Sequence, residues 1–496
     1  MILFMRIFLA AVISCLVGFY FYRAYGLEHG NDFSARDRLF GLDKKDKTIY
    51  LGFLPLILPC GLAVVFAALV VKLGWQEALF FFFRLSANLL LTMSLYYVAL
   101  LLLMPLLRRH VSARVCATAW LLPTLLYYVG YSFDAIIPRF VLYIPRRLQD
   151  VLIPVWAVGF AIFFSAAVLS HLCFRRRILR DAREECDETV LAVFREEAEQ
   201  LGFKNPIRLV RTARAKTPFS MGNTKRTRVT VLPETDYTEQ ELRFIFRHEL
   251  HHIQRGDMDS KLFFAFVCAL FWFHPLVWIA LREAGRDMEL SCDEIVLENE
   301  GEAERKCYAD LLLATAGERR GFTTCMSADA SALRYRLRSI MKARTRKSGT
   351  LVLMALLFTC LMCHGVFAVS EERIALSEAF AANGADYFLY ETDEGICRTY
   401  ADLTADGKKE LLAYLETLTV ERLSGARYAA APEKSPRLYV SNSAAECAVW
   451  IGDHSVVIYD LANIDYEHSL ICYTRADIDW EKIEACFGEV QIGAHP

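Results

Sequence analysis

Six apolar runs constrain this chain more than any other feature: Ile7 to Tyr22, Ile49 to Val71, Phe80 to Leu107, Val115 to Tyr131, Val151 to Phe174 and Leu351 to Val369. A bilayer's hydrocarbon core is about 30 Å thick, and about 20 apolar residues cross it as a helix. Lipid offers no hydrogen-bond partners, so each crossing is expected to satisfy its own backbone. The runs account for a hydrophobic content of 55% over 496 residues, high for a soluble protein. The first run stands where a signal peptide would. Arg6 is a thin basic flank and no small-residue cleavage site follows, so it reads as a retained span.

Lysine and arginine resist translocation and so orient the spans. Arg175, Arg176 and Arg177 close the fifth run, and Arg344, Arg346 and Lys347 precede the sixth, which makes the segment between them cytoplasmic. Arg108, Arg109, Arg114, Arg36, Arg38, Lys44, Lys45 and Lys47 fall on the same side if the runs alternate. The N-terminus and everything after about Ser370 are then expected outside. Arg139, Arg146 and Arg147 break this pattern, so Asp134 to Asp150 is read as an interfacial amphipathic segment.

The cytoplasmic part contains His248-Glu249-Leu250-His251-His252. Residues four apart share a helix face, so His248 and His252 can hold one metal ion while Glu249 leans toward a water on it. The setting is helical: Thr238 to Glu241 forms a capping box, Leu242, Phe244, Ile245 and Leu250 give an apolar rhythm, and Gly256 stops the helix. His251 lies on the flank and is not expected to be a ligand. A catalytic zinc needs a third protein ligand and an open position. Glu289 is the choice, with Asp293 one turn later placed to accept from a ligand imidazole. Glu283, Asp287 and Glu294 compete with it, and chain position alone does not eliminate them. The same cluster also fits a solvated acidic helix face.

Leu262 to Leu281 looks like a further span, but a single crossing there would leave His252 and Glu289 on opposite faces of the bilayer. Pro275 breaks the run near its middle, which favours a buried or membrane-dipping hairpin. Upstream, the strand-like runs Ile207 to Arg211 and Arg228 to Leu232 flank Thr217-Pro218-Phe219-Ser220-Met221-Gly222. Such a strand can take up a peptide as an extra strand, or simply cap the helical core.

The run Thr217-Pro218-Phe219, the stretch His248 to Asp257, then Trp272-Phe273-His274-Pro275-Leu276-Val277-Trp278 and Glu289 to Asp293 together closely resemble the membrane metallopeptidases of the BlaR/MecR type, the beta-lactam-sensing antirepressors. Similarity runs from about Leu89 through the basic stretch Arg334 to Lys347. The resemblance implies a gluzincin-type domain with His248, His252 and Glu289 on one zinc ion, Glu249 as base, and Asp257 and Asp293 as supporting acidic positions. His274 stands where the family usually has Asn, which changes local contacts. The resemblance also implies that an external signal passes through the spans and that a cytoplasmic protein, such as a DNA-bound winged-helix repressor, is cleaved. The net charge of -2 gives no sign that this chain binds DNA itself.

The family's beta-lactam sensor carries S-x-x-K, S-D-N and K-T-G motifs, and residues 370 to 496 contain none of them. Strand-like pieces at Tyr387 to Tyr390, Leu438 to Val440, Ala448 to Ile451 and Ser455 to Tyr459, with a helix around Lys408 to Leu418, suggest a small module for an unknown external ligand. Its Cys397, Cys447, Cys472 and Cys486 could form one or two disulfides. Cys360 to His364 formally matches a haem attachment site, but an apolar span has no room for haem.

The expected architecture is a multi-pass α-helical membrane protein with a cytoplasmic α+β gluzincin-like zinc metallopeptidase domain and a small C-terminal α+β extracytoplasmic domain. Residues 1–75 form an N-terminal extension with two transmembrane helices, 76–175 the transmembrane helices of the protease core, 176–348 the metallopeptidase, 349–370 the last transmembrane helix and 371–496 the sensor. The function expected is a plasma-membrane zinc endopeptidase and receptor in contact with membrane lipid. The alternatives are a constitutive protease for membrane-associated peptides and a non-catalytic receptor with a structural zinc site.

Overall fold

The computed structural model describes residues 2–29, 57–129, 140–203, 206–222, 226–315, 330–342, 347–364, 366–382, 384–392, 397–399, 402–423, 436–452, 454–461, 470–474 and 477–487. Arg36, Arg38, Lys44, Lys45, Lys47, Asp134, Arg139, Arg344 and Arg346, named above, lie outside these residues. Among the described residues, three helices are long and apolar enough to cross a membrane: Phe4–Gly26, Ala78–His110 and Arg146–Leu179. Two shorter apolar helices, Ile57–Leu73 and Thr350–Cys363, pack against them. The sixth run is therefore shorter than expected. Its 14 helical residues span about 21 Å, and a strand begins at Phe367.

The fourth run is not a single helix. It forms Ala113–Ala119, a tight turn at Leu122–Leu125 and one more helical turn at Leu126–Val129. Pro123 cannot donate to the preceding turn, and the broken backbone is tolerated because it is buried among neighbouring helices. Tyr96 and Tyr97 donate to the carbonyls of Ala119 and Trp120, at 2.8 and 3.4 Å.

The helix ends sort into two levels. Arg6, near the start of the first helix (Ile2–Glu28), donates to the carbonyls of Met362 and His364, while Glu28 at its end meets Arg114 and Arg255. Arg146, opening the long helix Arg146–Leu179, lies over the Phe80 ring, whereas Arg175 near its end donates to the Thr227 carbonyl. Of the segment Asp134 to Asp150 expected at the interface, residues 140–150 are described and form a strand and the start of this helix. Phe140–Tyr143 pairs in parallel with Phe367–Ser370, because the strand leaving the last apolar helix offers the bonds an exposed interfacial segment would lack.

That pairing makes Phe140–Tyr143 an edge of a nine-stranded sheet built mainly from residues 367–473. Helices Ala405–Thr417 and Trp480–Cys486 cover one face around Leu411, Leu438, Val449, Val456 and Ile483. Cys397, Cys447, Cys472 and Cys486 are free thiols, so neither of the two possible disulfides is formed. Cys447 and Cys472 lie on strands separated by Ser455–Asp460, which keeps them apart.

At the other level a four-stranded sheet, ordered Arg183–Glu184, Arg208–Arg211, Val229–Leu232, Phe219–Met221, packs beside the motif helix Glu239–Arg255. Thr238 and Glu241 form the capping box, and Gly256 ends the helix at φ +70°, a left-handed conformation that favours glycine. The run after it folds as a hairpin of Asp257–Leu270 and Pro275–Val296, returning to the side it left. The first arm lies along Arg146–Leu179, and Trp156 donates to the Leu270 carbonyl at 2.8 Å. The ring of Trp272 at the hairpin tip occupies the space where a side chain at Gly159 would begin.

Gly159→Ala is therefore expected to displace the hairpin tip and lower stability by about 1–3 kcal/mol, the usual range for overpacking. Thermal unfolding of the full chain in detergent micelles checks this. An unchanged midpoint would show that the hairpin does not depend on that contact.

Candidate metal centre and peptidase site

The motif helix and the returning hairpin arm bring His248, His252 and Glu289 together. Their side chains are buried, with whole-residue exposures of 9, 2 and 7%. The two Nε2 atoms are 3.1 Å apart, and the Glu289 carboxylate oxygens lie 3.5 Å from that of His248 and 3.8 Å from that of His252. Such spacings suit a tetrahedral cation, whose ligands about 2 Å from the ion sit about 3.3 Å from one another.

The outer nitrogens explain why the inner ones are free. His252 Nδ1 donates to Asp257 at 2.5 Å. Tyr308 gives its hydroxyl proton to Asp293 at 2.7 Å and can accept one from His248 Nδ1 at 3.0 Å. With Nδ1 of each ring engaged in this way, the two Nε2 atoms face each other at 3.1 Å, a gap that either a proton on His252 or a metal ion can bridge. Glu249 Oε2 and Glu289 Oε1 are buried without a hydrogen-bond donor among the described residues. This donor set, two imidazoles and a carboxylate with unused acceptor capacity, fits a divalent metal ion.

The expected supporting acids occupy different places. Asp257 touches His252 directly, whereas Asp293 is 3.5 Å from His248 Nδ1 and reaches it chiefly through Tyr308. Arg336, on the helix Ala330–Met341, grips Asp293 with two bonds of 2.7 Å and reaches Glu289 at 3.2 Å. Lys261 stands 3.9 Å from Glu289. Burial raises the Glu289 carboxyl, but His252, His248, Arg336 and Lys261 outweigh it and hold the group well below its ordinary value. Burial lowers His252, yet Cys292, Glu289 and Asp257 lift it well above the ordinary histidine range, so a metal ion entering there displaces a proton. His251 is buried on the helix flank, where desolvation and Arg255 push it down to about 3.

Glu289's competitors are engaged elsewhere. Asp287 and Glu283 bind Arg108, Asp287 also accepts from Trp120, and Glu294 accepts from the amide of Ala113. Tyr308 and Lys261 carried no signal in the sequence, and Arg336 was visible only as part of a basic stretch.

Two clefts meet at the histidines. One, about 460 Å³, runs past Glu249, Glu289 and Arg336 to Pro218, Phe244 and Leu312. The other, about 320 Å³, lies between His252 and the strand Phe219–Met221. Among the described residues that strand pairs only with Val229–Leu232 in its sheet, and its Ser220 and Met221 line this cleft.

These features define a metallopeptidase-type site set against a bundle of apolar helices. Residues 142–340 match the family model described as BlaR1 peptidase M56. The chain is 24% identical over 193 residues to the regulatory protein BlaR1 of Bacillus licheniformis, which covers 38% of this chain and 32% of that protein. It is 26% identical over 130 residues to BlaR1 of Staphylococcus aureus (25% and 22% covered), and 27% identical over 113 residues to the methicillin resistance mecR1 protein of Staphylococcus aureus (22% and 19% covered). The matches span about a third or less of these relatives' lengths. Over residues 142–340 the chain is similar to the peptidase domain of the BlaR/MecR-type membrane metallopeptidases.

Replacing an outer partner of a ligand histidine typically weakens metal binding by about 10–100-fold. Asp257→Asn and Tyr308→Phe are each expected to do so, measured by zinc competition against a chromogenic chelator. Unaltered affinity in both would show that the rings are oriented by other contacts.

Proposed function

We propose that this protein is a membrane zinc endopeptidase that cleaves a cytoplasmic protein in response to an external signal. The observation that carries the reading is the convergence of His248, His252 and Glu289 beside a buried Glu249 whose Oε2 has no hydrogen-bond donor among the described residues. These three residues would hold the ion, with one position open. Zinc, when bound, lowers the pKa of water toward about 7 and polarises a carbonyl. Glu249 takes the proton as water attacks the scissile carbonyl and passes it to the departing amine. Asp257 and the Tyr308–Asp293 pair keep both imidazoles in one tautomer, and Arg336 keeps Glu289 ionised and oriented.

The strand Phe219–Met221 offers main-chain partners to an extended peptide, a mode that asks little of its sequence. The basic helix ends Arg108, Arg109 and Arg175–Arg177 lie at the level of the metal centre, and this clustering of positive charge supports a cytoplasmic metal centre with the nine-stranded sheet outside. A transcriptional repressor is the substrate this arrangement suggests, given relatives named as regulatory and resistance proteins. The sheet residues 367–473 would receive an external ligand.

Glu249→Gln is expected to reduce turnover by about 10²–10⁴-fold, the usual contribution of a general base, with zinc content unchanged. Quantitative proteomics of cells carrying wild type or Glu249→Gln should show the substrate accumulating in the variant. Equal cleavage products in both would sink the peptidase reading.

A further inference from the structure

The first helix, Ile2–Glu28, lies outside the matched residues 142–340, yet its last residue reaches the metal centre's supports. Glu28 accepts from Arg255 at 3.0 and 3.3 Å, and both side chains are fully buried. Arg114 joins the same carboxylate, with its guanidinium 5.4 Å from the Phe21 ring. Arg255 is the last residue of the motif helix, three positions after His252. It also donates to Cys292 Sγ at 3.1 Å and to the Ser291 carbonyl at 3.3 Å, on the arm that carries Glu289. Cys292 Sγ in turn lies 3.5 Å from His252 Nδ1. One guanidinium therefore ties together the two helices that supply the ligands, and Glu28 fixes where it sits.

We propose that Glu28 is a positioning residue for the metal centre: through Arg255 it sets the placement of the His248–His252 helix against the Glu289 helix. The inference rests on the metal-binding reading above. Three further observations support it. The helix bearing Glu28 is anchored at its far end, where Arg6 donates to the His364 carbonyl at 2.7 Å, so the carboxylate is held by a rod about 40 Å long. Gly18 packs against Met354 of the last apolar helix along the way. Although burial pushes the Glu28 carboxyl up, Arg114 and Arg255 hold it down at about 2, so it stays charged at neutral pH. Removing a carboxylate shared by two buried guanidiniums is strongly disruptive, because the cations must find new partners.

The test is cobalt and zinc titration of the full chain in nanodiscs, with the cobalt ligand-field spectrum as a direct report of site geometry. Glu28→Gln is expected to weaken metal affinity about 10–100-fold, as loss of an outer support does, and to alter that spectrum. Because this variant leaves an extra buried positive charge, the double variant Glu28→Gln with Arg114→Gln, which restores the cluster's formal charge, is measured beside it and should show the same loss. Glu28→Asp, which keeps the charge but shortens the reach, should fall between, and it decides the matter if neither other variant folds. A folded variant with wild-type affinity and spectrum overturns the proposal, even if its thermal midpoint falls, since that would be a purely structural role. A wild type that takes up no metal removes the metal reading and this inference together.

Discussion

The peptidase site depends on one constraint: the two helices that supply His248, His252 and Glu289 are joined by a segment as apolar as a membrane span, yet must finish at the same level. The chain meets it by turning back at Trp272–His274. Pro275 can start a helix but cannot continue one, and Trp156 takes up the Leu270 carbonyl that the turn would otherwise leave buried. Ser94 and His274 share a further hydrogen bond of 2.9 Å at the tip. A polar site is thus carried on a hydrophobic hairpin, with helix packing rather than water holding its ends in place.

Around the site, charge is used in alternating layers. The carboxylate of Glu289 meets Arg336, which meets Asp293, which meets Tyr308 and so His248. On the opposite flank His252 meets Asp257, and Arg255 spans from Cys292 to Glu28. Buried charges are costly unless paired and hydrogen-bonded, so each layer fixes the next.

Much of this was legible in the chain. The motif helix announced itself through Thr238, Glu241 and Gly256 because capping is a local matter of side chain against neighbouring amide. The hairpin followed from Pro275 together with the requirement that His252 and Glu289 meet. The fourth run misled because hydropathy records burial and not continuity: Ala113–Val129 is apolar because it is enclosed by protein, where broken backbone can find partners such as Tyr96 and Tyr97. The strand Phe140–Tyr143 was not legible, since its partner at Phe367–Ser370 lies more than two hundred residues away.

The sequence by itself determined which residues could hold a metal ion, that apolar helices would surround them, and that the motif stood on a capped helix, because these depend on composition and on spacings of a few residues. Only the tertiary structure decided that Glu289 and not Glu283, Asp287 or Glu294 faces the histidines, that Tyr308 and Arg336 hold the supports, and that the first helix ends on Arg255. Those choices depend on helix rotation and on contacts between distant segments, where the burial of charge selects one pairing from several that a linear pattern permits.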